Sequence, residues 1–286
     1  MSAVPQNAGE PILDYQALEA QVADLAPRFR EAEPYPHLVI ENLLRPEAAR
    51  LLEADFPKRV GDTWTHYRHY NNNTLGLTKL DALPPSVQAA IRELNSERFC
   101  ALLSRITGFD DLLADDMLEG GGLHMTEAGG FLNLHADFTN HHYHKRWQRR
   151  CNLILFLNSD WQDEWGGALE LWERDLSRCR VRVPVRNNFA VLFETARDTF
   201  HGYPDPLTSP PGAARRSLAL YYYTEEDRVE ARSTNYRARP GEGLKQRAFT
   251  AADRILLNLY TRTKQAFGLS DDFASRLLRF FGRRRD

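Results

Sequence analysis

The sequence predicts a mainly β protein with flanking helices, and three observations carry that prediction. From Met117 onward, short β-rich runs alternate with turn residues: Gly120-Gly121-Gly122, Gly166-Gly167, Asn187-Asn188 and Pro210-Pro211-Gly212. About eight short strands punctuated in this way form an antiparallel sandwich or jelly-roll barrel. Before Met117 the apolar residues instead recur at helical spacing. Helices come first and the β core follows in one block, which excludes an alternating α/β fold.

Taken in order, Met1 to Pro11 is short and polar and reads as disordered. Asp14 to Glu33 carries Leu18, Val22, Leu25 and Phe29 at helical spacing, with Asp14 as N-cap and Pro34 and Pro36 as the stop. Pro36 to Leu43 reads as a strand and Arg45 to Phe56 as a helix. Gly61 to Thr78 is polar and aromatic, with Trp64, Tyr67, Tyr70 and Asn71 to Asn73, and reads as a loop over a site. Pro85 to Thr107 reads as one helix. The expected strands are Met117 to Thr126, Phe131 to Asp137, Cys151 to Asn158, Ala168 to Trp172, Arg180 to Val185, Phe189 to Phe193, His201 to Pro204 and Arg215 to Tyr223. Thr224 to Gly243 reads as a polar linking segment before two helices, Thr250 to Phe267 and Ser270 to Phe281. The expected division is an N-terminal tail and helix (1–34), a β domain (35–226) and a C-terminal extension packed on that domain (227–286).

Composition narrows the function classes. The chain has 286 residues, of which 42% are hydrophobic and 27% charged, as in an ordinary globular protein. A formal net charge of -2 provides no field for nucleic acid. The three cysteines, Cys100, Cys151 and Cys179, are widely spaced and fit neither a zinc ribbon nor a disulfide framework. The N-terminus lacks the order of a signal peptide, and no apolar run is long enough to span a membrane. The expected location is the cytoplasm. The last helix, with Arg276, Arg279 and Arg283 to Arg285, is amphipathic. It could touch an anionic membrane, although docking on the barrel with a solvated basic end is the simpler expectation.

The chemistry centres on Gly129 to Asn158. His135 and Asp137 are two apart on a strand, so their side chains share a face. An imidazole beside a carboxylate supplies two ligands of the 2-His-1-carboxylate triad that holds non-haem Fe(II). Of the nine histidines, His201 is the best third ligand, at the start of a short strand after Thr199-Phe200. Such a triad leaves three positions of an octahedral ion open for a bidentate ligand and O2. Arg215 and Ser217 share a strand face with Ala219 and Tyr221. A guanidinium inside a barrel is unfavourable unless an anion pairs with it, and a dicarboxylate cosubstrate would be that anion. No catalytic side chain beyond the metal centre is evident.

Together, His135-x-Asp137, His201 and Arg215-x-Ser217 resemble the 2-oxoglutarate and Fe(II)-dependent dioxygenases. Gly130, Leu157-Asn158, Trp161, Gly166-Gly167 and the early Pro36-His37-Leu38-Val39-Ile40-Glu41-Asn42 are similar to the prolyl-4-hydroxylase-like branch. The resemblance spans roughly residues 35 to 224. It implies a double-stranded β-helix core of the jelly-roll or cupin-like kind, with Fe(II), 2-oxoglutarate and O2. It also implies hydroxylation of an unactivated C–H bond coupled to conversion of 2-oxoglutarate into succinate and CO2. Relatives often carry Tyr where Phe156 and Met125 stand, so those two positions belong to the expected cosubstrate pocket. Asn152, on the Phe156 face, is the expected substitute donor. Asp137 fits hydroxylation, since halogenating members replace that carboxylate with a small residue.

Asn140, His141, Trp172 and Tyr221 are candidate substrate contacts; core packing is the alternative for Trp172 and Tyr221. His141, His142 and His144 could form a second metal site. Lying beside Lys145, Arg146, Arg149 and Arg150, they read more simply as a solvated loop. The substrate is expected to be a small molecule or a peptidyl residue. The rival function is a non-catalytic cupin-like protein that binds or senses a metal or ligand. Arg215-x-Ser217 discriminates, because that rival has no use for a buried dicarboxylate clamp.

Overall fold

The computed structural model describes residues 11–60 and 63–267, with side chains as far as residue 256. The expected tail before residue 11, the helix from Ser270 to Phe281 and the basic end after it lie outside the described residues. α1 (Tyr15–Arg30) starts at Asp14, whose carboxylate accepts from the Ala17 amide at 3.1 Å, and it buries Leu18, Val22, Leu25 and Phe29. β1 (His37–Glu41) and α2 (Pro46–Ala54) follow. The segment expected to be a loop is a hairpin, β2 (Thr65–His69) and β3 (Asn72–Leu77). β2 has no apolar alternation to reveal it, because both of its faces carry polar side chains. The helix expected over 85–107 is two, α3 (Pro85–Leu94) and α4 (Glu97–Thr107). Ser96 separates them: its hydroxyl accepts from the Phe99 amide at 3.2 Å and caps a new helix.

The β block contains β4 (Leu113–Ala114), β5 (Gly122–Thr126), β6 (Phe131–Ala136), β7 (Trp147–Phe156), β8 (Leu169–Trp172), β9 (Cys179–Val183), β10 (Phe189–Glu194), β11 (His201–Tyr203), β12 (Arg215–Glu225) and β13 (Asn235–Tyr236). α5 (Leu244–Phe267) follows it. One wall runs β1-β10-β7-β12-β5 and the other β6-β11-β8-β9, all antiparallel. β3 pairs with both β5 and β6 and joins the walls at one edge, giving a nearly closed double-stranded β-helix.

Alternation along the strands sorts the core. Cys151, Leu153 and Leu155 of β7 and Leu218, Leu220 and Tyr222 of β12 face the helical layer, where they meet Leu94 and Phe99. The intervening positions face the barrel interior, where Phe156, Leu171, Val191 and Phe193 pack together. Leu134, Ala136, Trp172 and Phe200 form a smaller cluster on the outside of the second wall. One irregularity matters later. Tyr222 pairs with Cys151 but Tyr223 pairs with Arg149, so Arg150 is an extra residue in β7. Among the described residues, no helix is long and apolar enough to cross a membrane.

Candidate metal centre and cosubstrate pocket

His201 of β11 pairs directly with His135 of β6, which puts both imidazoles on the inner face. Asp137 follows β6 by one residue. The ligand atoms of His135, Asp137 and His201 lie within 4.8 Å of one another, and no other such group occurs among the described residues. Each Nε2 is 3.5 Å from a different Asp137 oxygen. Each Nδ1 is committed to a backbone carbonyl, Asn133 O at 2.9 Å for His135 and Thr199 O at 3.1 Å for His201. Both carbonyls require a proton on Nδ1, so both Nε2 lone pairs point into the centre. Two imidazole nitrogens and one carboxylate, with the remaining side open to a cleft, fit a non-haem Fe(II) site. The backbones of β6 and β11 approach closely here: a Cβ on Gly202 would lie 2.7 Å from the Leu132 carbonyl oxygen.

The carboxylate has further partners. Asp137 Oδ2 accepts from Arg149 Nη2 at 3.0 Å and from Asn152 Nδ2 at 2.7 Å. Asn152 Oδ1 in turn accepts from Arg149 Nε at 2.7 Å and from the Thr195 hydroxyl at 3.1 Å. Arg149 is 1% exposed, with its guanidinium 3.4 Å above the Tyr221 ring. The basic run was expected to be solvated, and Lys145 and Arg146 are indeed exposed. Arg149 is not, because the extra residue in β7 turns it inward. The Asn152 side chain, expected beside the cosubstrate, is instead engaged with Asp137 and Arg149.

Burial alone would raise the Asp137 carboxyl, but Arg149 and the two histidines outweigh it and hold it well below the carboxylate range. Burial pushes His201 down to about 4, helped by the neighbouring His135. His124 is also pushed down to about 4, by burial and then by the nearby Arg215. Both imidazoles are neutral in the folded metal-free protein and protonate near 6.5 when unfolded. The unfolded state therefore binds more protons between those values, and stability falls as pH drops from 6.5 towards 4. Asp137 adds a loss of the same sign below its ordinary 3.8. Urea unfolding of the metal-free protein between pH 7 and 4 should show this decline. Unchanged stability over that range would contradict it.

Arg215 lies deeper. It is 4% exposed, its Nε donates to the Gly167 carbonyl at 2.8 Å, and its guanidinium sits between the rings of Tyr203 (4.1 Å) and Phe156 (4.8 Å). Burial lowers its proton affinity, and no carboxylate among the described residues offsets this. A buried cation without an anionic partner fits one carboxylate of a dicarboxylic acid. Ser217, buried on the same face, pairs across the sheet with Phe156 on one side and His124 on the other. The Tyr203 hydroxyl is 2.9 Å from Thr126 Oγ1, which places a phenol beside Arg215 although Phe156 cannot supply one. Met125 does not face this pocket. It pairs with Arg216 and Leu75 and packs in the helical-side core, whereas His124 and Thr126 face inward.

The four candidate substrate contacts divide. Tyr221 faces the interior beneath Arg149 and donates to the Gly120 carbonyl at 2.7 Å. Trp172 is on the outer face of its wall, because its neighbour Leu171 is the residue paired with His201; its indole donates to Glu170 Oε2 at 2.8 Å. His141 is fully buried, 3.2 Å from Asp115 Oδ1 and against Trp147 and Tyr223, so it is a structural residue and not part of a solvated loop. Asn140 forms a bridge to Gln148.

A cleft of about 440 Å³ opens on the ligands, lined by the hairpin (Tyr67, His69, Asn72, Thr74), by His124 and Glu119, and by Tyr236. Tyr236 comes from β13, which pairs with β6 opposite His135 and Ala136. Its ring is 5.4 Å from the His135 ring, and burial followed by the charge of Asp253 raises its hydroxyl. A lone aromatic in a polar segment carries no sequence signal, and Tyr236 was not anticipated.

Residues 121–223 match the model of the 2OG-Fe(II) oxygenase superfamily. That segment is a 2-oxoglutarate and Fe(II)-dependent oxygenase domain. The proteins this oxygenase resembles include prolyl hydroxylases. It is 26% identical over 204 residues to prolyl 3-hydroxylase OGFOD1 of Mus musculus, a match covering 68% of the chain but only 33% of that relative. A Pseudomonas putida prolyl-4-hydroxylase shares the fold with a TM-score of 0.53 at 17% identity, over 73% of this chain and 99% of the other. A Trichoplax adhaerens prolyl hydroxylase, solved with a hypoxia inducible factor oxygen degradation domain peptide fragment, gives 0.52 at 16% identity, over 73% and 91%. Fe(II), 2-oxoglutarate and O2 are the cofactors and cosubstrates of this family, and the donor set and the unpaired Arg215 suit them.

Proposed function

We propose that this oxygenase hydroxylates an unactivated C–H bond of a peptidyl residue, with proline the first candidate, and releases succinate and CO2. The observation that carries the reading is the buried, carboxylate-free Arg215 in the same barrel as the His135, Asp137 and His201 cluster. A non-catalytic metal-binding barrel would have no use for that cation. The peptidyl part of the reading draws support from the prolyl hydroxylases it resembles and from the open cleft at the ligands.

In this reading His135, Asp137 and His201 hold Fe(II), and Arg215 and Ser217, with the Tyr203 phenol nearby, hold the far carboxylate of 2-oxoglutarate. When bound, the two supply the oxidising chemistry. The chain's own contribution is orientation and exclusion of water. The Nδ1 bonds fix both imidazole tautomers. Arg149 and Asn152 keep Asp137 ionised and aimed. Phe156, Leu171, Val191 and Phe193 keep the interior dry. The test is succinate release with Fe(II) and 2-oxoglutarate, with and without proline-containing peptides and, in parallel, small-molecule fractions. Iron-dependent succinate formation stimulated by a peptide that gains one oxygen is the expected result. No iron-dependent succinate under any condition would overturn the reading, and stimulation only by small molecules would overturn its peptidyl part.

A further inference from the structure

The C-terminal extension, outside the matched family region, is tied to the metal centre by hydrogen bonds. Asp253 of α5 is nearly buried, with its side chain 11% exposed. Its Oδ2 accepts from Asn71 Nδ2 at 2.6 Å and lies 2.7 Å from His69 Nδ1. Asn71 is fully buried, and its Oδ1 accepts from Asn133 Nδ2 at 3.0 Å. The Asn71 carbonyl also accepts from the Asn133 amide at 2.9 Å, so Asn133 is gripped at two points. The Asn133 carbonyl is the acceptor that fixes His135 Nδ1. One unbroken path therefore runs from α5 through the β2–β3 turn to a metal ligand.

Charge explains why an acid ends this path. A carboxylate accepts from His69 and Asn71 together, whereas a neutral amide oxygen beside an amide NH2 cannot satisfy both as well. Holding the Asn71 amide in that orientation leaves Asn71 Oδ1 facing Asn133. β13 covers the same stretch of β6, and Tyr236 packs on both His69 and His135.

We infer that Asp253 is a positioning residue for the metal ligand His135, acting through Asn71 and Asn133. The inference rests on the proposed metal site, and Co(II) alone serves as its probe. Partners that orient a ligating imidazole typically change metal affinity by about 10- to 100-fold. The full-length Asp253→Ala protein is therefore expected to bind Co(II) roughly 10-fold more weakly, with an altered visible Co(II) spectrum. Asp253→Asn, which keeps the shape and one acceptor, should fall between the two and remain folded by circular dichroism. Asn133→Ala breaks the same path from the other end, so adding it to Asp253→Ala should have little further effect. A folded Asp253→Asn protein with wild-type Co(II) affinity and spectrum, or additive losses in the double variant, would overturn the assignment. Co(II) binding by wild type that His135→Ala does not diminish would instead overturn the metal site itself.

Discussion

Replacing Arg215 with methionine is expected to weaken 2-oxoglutarate binding by at least an order of magnitude and to leave the protein folded, with a melting temperature equal to or above that of wild type. The two halves of this expectation have one cause. In the absence of cosubstrate the guanidinium is buried with one carbonyl bond and two aromatic rings, and no carboxylate pairs with it. Methionine has similar length, packs against the same rings and has no charge to desolvate. With cosubstrate, the loss of one partner of a buried charge pair costs about 2–5 kcal/mol. At about 1.4 kcal/mol per factor of ten, that is roughly 30- to 4,000-fold in affinity. Thermal shift with Mn(II) and increasing 2-oxoglutarate measures both effects. A variant still stabilised by 2-oxoglutarate at wild-type concentrations would place the carboxylate elsewhere.

The second large effect is at Asp137. Asp137→Ala is expected to eliminate metal binding, as is His135→Ala, but it should also be much less stable. The reason is Arg149, whose buried guanidinium then has no counter-charge. Leaving one member of a buried ion pair alone typically costs about 3–5 kcal/mol. His135→Ala leaves the Arg149 pair intact and should lose little stability in the metal-free protein. The double variant Asp137→Ala, Arg149→Met should regain most of the stability and none of the metal binding. Urea unfolding of the metal-free proteins, with a parallel Co(II) titration, separates the two losses. An Asp137→Ala protein as stable as His135→Ala would show that Arg149 does not depend on Asp137.

Much of this centre was legible because strand alternation is strict. His135 and Asp137 had to share a face, as did Arg215 and Ser217, and turn residues marked where the strands ended. What alternation cannot fix is phase across a turn or past an inserted residue. Counting back ten positions from His135 lands on Met125, yet the pairing of β5 with β12 turns His124 and Thr126 inward. In β7, regular alternation from Phe156 through Asn152 would point Arg150 inward and Arg149 out. The extra residue opposite the Tyr222-Tyr223 step reverses that order. The hairpin of β2 and β3 was missed because β2 is polar on both faces and is specified by its pairing with β3 and not by its own pattern. Tyr236 and Asp253 are isolated in sequence and acquire meaning only from where β13 and α5 land.

The place of β12 in the sheet also has a consequence for how the molecule comes into being. β12 lies between β5 and β7, both of which leave the ribosome well before it. Until Arg215–Glu225 has been synthesised, each of those strands presents a bare edge, and the first wall stays split into β1-β10-β7 and β5. His135 and Asp137 are made early but remain unsupported until His201, then β12, then β13 have arrived. Metal binding by His135, Asp137 and His201 would therefore come only after β12 has formed, and a nascent chain stalled before β12 offers a chaperone two open strands and no assembled ligand set.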